Sequence, residues 1–196
     1  MPRPCLKHLL AGLLAGLVLS GCGGTPQPAL DVPPAPTDRP EDVVWSLEKN
    51  GLRYRIEAAP DLNLEDGIPL GLTICVYQLK DISAFMAQAS SAVGIDTLLD
   101  GKLEPVEARS SRVYRLQPGS AVDVTTDRMA EARFLAVVAG YAHLRPELCS
   151  VVIPFPVHTA SEGILFRDKR YSAAPMQALI RLGAESVTIT GVERVR

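Results

Sequence analysis

The sequence predicts an all-β domain, a two-sheet β-sandwich with a short helical excursion, preceded by an export signal and a proline-rich linker. Three observations carry this. Short apolar runs at period two recur from Leu52 towards the C-terminus, separated by turn residues. Only the stretch after Leu79 changes to a helical period, too little for a parallel sheet built from βαβ units. Residues 1–40 contain no pattern that builds a core.

The N-terminal segment reads as a signal. Met1 to His8 is short and basic through Arg3 and Lys7, and Leu9 to Leu19 contains only Leu, Ala, Gly and Val. That apolar run is shorter than the roughly 20 residues a membrane-spanning helix needs. Leu19-Ser20-Gly21-Cys22 is similar to a lipobox, in which small residues fit the peptidase and the thiol of Cys22 takes lipid. Gly23 stands where an Asp would favour inner-membrane retention, so the outer membrane is expected. Residues 23–40 carry six prolines, at 26, 28, 33, 34, 36 and 40, and at about 3.1 Å per residue reach roughly 55 Å. The expected organisation is a signal over 1–21, a lipidated cysteine and linker over 22–41, and a β-sandwich domain over 42–196.

The predicted elements follow in order. Leu52 to Ala58 alternates as a half-buried strand, and Pro60 to Pro69 is a turn-rich loop containing Asn63 and Asp66-Gly67. Leu70, Leu72, Ile74 and Val76 open a second strand that reaches Leu79. Asp81 to Val93 turns helical, with Asp81 or Ser83 as N-cap and Phe85, Met86, Ala89 and Val93 on one face; Ile95 to Leu99 adds a further helical piece. Strands Arg112 to Leu116 and Ala121 to Thr125 flank the Pro118-Gly119 turn. Arg133 to Tyr141 is almost wholly apolar, as in a strand buried on both faces. Leu148 to Phe155 is a strand, His158 to Pro175 a polar loop, and Gln177 to Leu182 with Ser186 to Val192 a closing hairpin around Gly183.

Composition narrows the function. Of 196 residues, 47% are hydrophobic and 21% charged, enough for one packed domain. The net charge is −2, and Arg3 and Lys7 leave with the signal, so the remaining chain is more acidic still and carries no basic stripe for nucleic acid. No constellation for catalysis or metal binding stands out. His8 belongs to the signal, and His143 and His158 lie far from other ligands at metal spacing. Motifs such as GxSxG, HExxH and the P-loop are absent from the sequence. No cofactor, metal or small-molecule substrate is expected beyond covalent lipid. Cys5 lies in the signal and Cys22 at the lipobox. Cys75 and Cys149 remain, either as a disulfide in an oxidising compartment or as two buried thiols.

With these segments laid out, the chain resembles the TssJ family of type VI secretion lipoproteins. The resemblance rests on Val76-Tyr77-Gln78-Leu79-Lys80-Asp81 followed by Phe85, on Leu116-Gln117-Pro118-Gly119, and on the apolar run Ala132 to Tyr141. Asn63, Gly67 and Pro69 sit where the family carries Asn-Pro, Gly and Pro. Leu64 replaces the common proline, Cys149 stands near a usual Trp-Arg, and the segment after Phe155 is long. The resemblance implies a transthyretin-like sandwich without catalytic activity. It also implies an outer-membrane anchor that binds the periplasmic end of TssM, an inner-membrane protein, through the loop between the first two strands. That loop is Asp61, Leu62, Asn63, Leu64, Glu65, Asp66, Gly67 and Ile68, with Leu62, Leu64 and Ile68 expected to be exposed. The competing reading is an unrelated periplasmic lipoprotein whose sandwich captures a ligand or subunit.

Overall fold

The computed structural model describes residues 33–103, 107–162 and 168–194. The signal, Cys22 and the first part of the linker lie outside them. Two four-stranded sheets form the sandwich. The first has the order β12-β11-β1-β6, from β1 (Glu48–Ala58), β6 (Ala121–Arg128), β11 (Met176–Leu182) and β12 (Val187–Arg194). The second has the order β5-β4-β7-β8, from β4 (Leu72–Leu79), β5 (Ala108–Leu116), β7 (Phe134–Ala139) and β8 (Ser150–Pro154). Two small ribbons complete the strands: β2 (Leu64–Glu65) with β3 (Ile68–Pro69), and β9 (Val157–Glu162) with β10 (Asp168–Ala173). Strand β1 runs parallel to β11 and antiparallel to β6, the sole parallel pairing among the described residues.

Alternation along β1 sends Leu52, Tyr54 and Ile56 inward, where they join Ile74 and Val76 of β4 and Met176, Ala178 and Ile180 of β11 in the core. Strands β4 and β7 are buried on both faces because helices α1 (Ser83–Ala89) and α2 (Ala92–Leu99) cover the outer side of their sheet. Tyr77 donates its hydroxyl to the Leu98 carbonyl and packs edge-on against Phe85, with ring centroids 5.7 Å apart. The adjacent Gln78 points the other way. Its amide donates to the Asp127 carbonyl at 2.8 Å and its oxygen accepts from the Met129 amide at 2.8 Å, tying β4 to the end of β6. One Tyr-Gln-Leu run therefore fixes the helices on one face and the opposite sheet on the other.

Several expectations need correction. The helical stretch breaks at Ser90-Ser91, where Ser91 caps α2 by accepting from the Gly94 amide at 3.1 Å. A Cβ at Gly94 would meet the Gln88 carbonyl at 2.0 Å, so the tight junction needs glycine. Phe85 and Ala89 are buried, but Met86 on the same helix is exposed, and so is Val93, which lies in the first turn of the separate α2. At the helix start Ile82 is the N-cap residue and has no side-chain bond, while Asp81 accepts from the Ser83 amide at 2.7 Å. The strand expected from Leu148 opens instead as the helical turn α3 (Pro146–Cys149). The expected polar loop after His158 is the β9–β10 ribbon; it stands off the core and so lacks apolar alternation.

Cys75 and Cys149 are free, buried thiols, and burial raises the pKa of both. Cys75 pairs with Val138, which pairs with Ser150, so two strand spacings separate the cysteines, about 10 Å by sheet geometry. A disulfide needs Cα atoms within about 7 Å.

Candidate functional site

The loop singled out by the sequence lies at one end of the sandwich, beyond the last residue of β1. Its base is fixed by the main chain. The Ala59 amide donates to the Leu182 carbonyl at 2.8 Å, Leu64 to Ala184 at 3.0 Å, and Leu70 to Leu62 at 3.0 Å. Asn63 then pins the base from inside. It adopts a left-handed backbone (φ 48°), is buried, donates its amide to the Gly71 carbonyl at 3.2 Å and accepts from the Ala142 amide at 2.7 Å. Asparagine is among the few residues that visit this conformation readily. Leu62 beside it is fully buried in the core. The expectation that Leu62 is exposed is therefore wrong: it anchors the loop from below.

Above this base the chain forms the β2–β3 hairpin. Asp66 (φ 50°) and Gly67 (φ 76°) occupy its turn, both left-handed as a type I′ turn requires. Asp61, Glu65, Asp66, Gly67 and Ile68 are exposed, Leu64 is half-buried, and Ile68 reaches 61% exposure. The site thus has a rigid, buried root (Leu62, Asn63) and a tip that offers Ile68 flanked by two carboxylates.

Other connections gather at the same end. The Gln117–Ser120 turn, with Gly119 at φ 75°, is a type II turn whose Gly119 amide donates to Ala59 at 3.2 Å. Tyr141 donates its hydroxyl to the Ser186 carbonyl at 2.6 Å, and Arg145 pairs with Glu185. Beside the loop root a cleft of about 540 Å³ is lined by Ala58, Pro60, Leu182, Arg55, Glu57 and Arg181. Arg55 bonds Glu57 at 2.9 Å and Asp123 at 2.6 Å, and the bond from Arg55 holds the Glu57 carboxyl below the usual range. Sequence reasoning missed the stapling roles of Asn63 and Gln78. Both are polar residues inside apolar runs, and that placement is the signal that marks them.

At the opposite end, Arg128 is buried against Glu48 (2.9 Å) and lies 5.1 Å from the centre of the Trp45 ring. Thr37 is already paired with Tyr171 there, upstream of the domain start expected at residue 42.

The chain matches a family model described as type VI secretion lipoprotein, VasD, EvfM, TssJ, over residues 50–184. No curated protein matches it. Among solved structures it is similar to the type VI secretion lipoprotein TssJ1 from Pseudomonas aeruginosa, with TM-score 0.54 and 19% identity over 77% of this chain and 98% of that one. Lip from Serratia marcescens, a membrane-bound component of the type VI secretion system, gives TM-score 0.51 and 17% identity over 74% and 98%. A chain in a structure described as the TssM C-terminal domain from EAEC gives TM-score 0.52 and 24% identity over 72% and 98%. These likenesses establish the shared sandwich fold.

Proposed function

The chain belongs to the type VI secretion lipoprotein family, and from that premise we propose that it anchors the trans-envelope secretion complex to the outer membrane by holding a TssM-like protein. Lipid on Cys22 is the anchor, and the β2–β3 hairpin with its root is the grip. The observation that carries this reading is the arrangement along β1. The linker side enters at Glu48 and the loop leaves at Ala58. At about 3.3 Å per residue, the two ends lie about 33 Å apart. The chain's entry into β1 and the grip therefore lie at opposite ends of one sandwich, which supports a bridge between a membrane and a periplasmic partner. The occurrence of a chain of this fold in a structure described as the TssM C-terminal domain supports the choice of partner.

The work done is mechanical and adhesive. The tip presents a small apolar contact, Ile68 with the half-buried Leu64, on a root that costs little to order on binding because it is already fixed. A periplasmic TssM fragment should bind the protein in calorimetry. Ile68→Asp should weaken binding at least tenfold while leaving the unfolding midpoint unchanged, since Ile68 touches solvent. Binding of Ile68→Asp at full affinity would reject the hairpin as the grip, and absence of binding by the unaltered protein would reject the partner.

A further inference from the structure

The end at which the linker enters carries a band of apolar surface. Thr37 and Tyr171 exchange backbone bonds at 2.8 and 2.9 Å, Val43 is buried, and Trp45 packs on Phe155 with ring centroids 6.4 Å apart. Their neighbours Val44 and Leu47 turn outward and stand 54% and 49% exposed. Phe155 follows Pro154, which with Ile82, Met86 and Phe134 lines an apolar groove of about 390 Å³ between α1 and β8. Met86 is 47% exposed. Exposed apolar side chains therefore stand at this end on two elements, Val44 and Leu47 either side of the partly buried Trp45, and Met86 on α1 beside the groove, with buried Phe155 packed beneath Trp45. Isolated exposed apolar residues need no explanation, but a grouping on one side marks an interaction site.

Several charges around this band are paired within the chain: Arg39 with Asp42 at 2.7 Å, Lys80 with Glu131 at 2.8 Å, and Arg170 with Asp38. Paired charges around clustered apolar side chains do not select a polyanion. They suit a zwitterionic lipid interface, where apolar groups enter the headgroup boundary and charges stay in water. The chain upstream argues for the same occupant. Cys22 precedes Thr37 by fifteen residues, so even a fully extended linker keeps a membrane holding its lipid within about 54 Å of this end.

We propose that this end of the sandwich lies on the membrane, with Val44, Leu47 and Met86 in the interfacial layer of zwitterionic lipid. The inference rests on the reading of Cys22 as the lipid carrier. Trp45, the only tryptophan in the sequence, reports the contact directly. The full lipidated chain is reconstituted in phosphatidylethanolamine–phosphatidylcholine vesicles, with and without bromine on the upper acyl chain, and both flotation and tryptophan emission are read. The protein should float with the vesicles and lose Trp45 emission in the brominated ones. The double variant Val44→Asp, Leu47→Asp and, on a separate element, Met86→Asp should float equally and regain that emission. Protein that floats with undiminished emission overturns the contact and leaves the anchor intact. Protein that does not float removes the anchor, and the contact with it.

Discussion

Asn63→Ala tests whether the loop is held from its root. The substitution deletes the donor to the Gly71 carbonyl and the acceptor for the Ala142 amide. A buried main-chain group left without a partner costs about 1–3 kcal/mol. Alanine at φ 48° adds a left-handed penalty of about 1 kcal/mol. Both bonds are only partly buried, which favours the lower half of the range, so the expected loss is about 3–5 kcal/mol. Against a typical domain stability of about 5–15 kcal/mol, that is a large fraction. Equilibrium urea unfolding followed by Trp45 emission measures it. Asn63→Gly, which accepts the backbone conformation, should lose about 1 kcal/mol less. If Asn63→Ala falls within about 0.5 kcal/mol of the unaltered protein, as an ordinary surface change would, the stapling argument fails.

Three further outcomes are expected. Gln78→Leu orphans the Asp127 carbonyl and the Met129 amide and should cost about 2–4 kcal/mol in the same urea assay, with the midpoint as readout. Cys75 and Cys149 should resist a thiol reagent in the native protein and both react in urea; a protein with no reactive thiols in unreduced urea would mean that they are bridged. The Glu131 carboxyl is held below its usual range by its bond from Lys80 and by Arg109, and that of Glu57 by Arg55. Carboxyls shifted down stabilise the fold above their unfolded pKa of about 4.3 and lose that contribution as pH falls through the folded value. The urea midpoint should therefore be flat near neutrality and decline in acid, and added salt should shrink the decline because these pairs are exposed.

The strands that touch the core were legible because burial imposes period two: Leu52 to Ala58 and Gln177 to Leu182 lie inside β1 and β11 as observed. The apolar run from Arg133 was readable as doubly buried for the same reason, with its ends trimmed to Phe134–Ala139. The β9–β10 ribbon was not legible, because a ribbon away from the core answers to main-chain pairing alone and writes no apolar code. At the site, Asp66-Gly67 announced the turn through its backbone preference. The burial of Leu62 and Asn63 could not be read locally. It depends on Gly71 across the hairpin and on Ala142 and Gly183, which approach from distant parts of the chain.

Strand β1 joins the linker side to the loop without leaving the sandwich. A pull between those two ends is therefore carried by the covalent backbone of one strand, along its axis. Parallel β11 on one flank and antiparallel β6 on the other hold it by hydrogen bonds that lie across the direction of pull. Those bonds are strained in shear together, not peeled apart in sequence, so sliding β1 out requires breaking many at once. The remainder of the domain then serves as a sleeve around a taut cord. Its knot is the Leu62–Asn63 root.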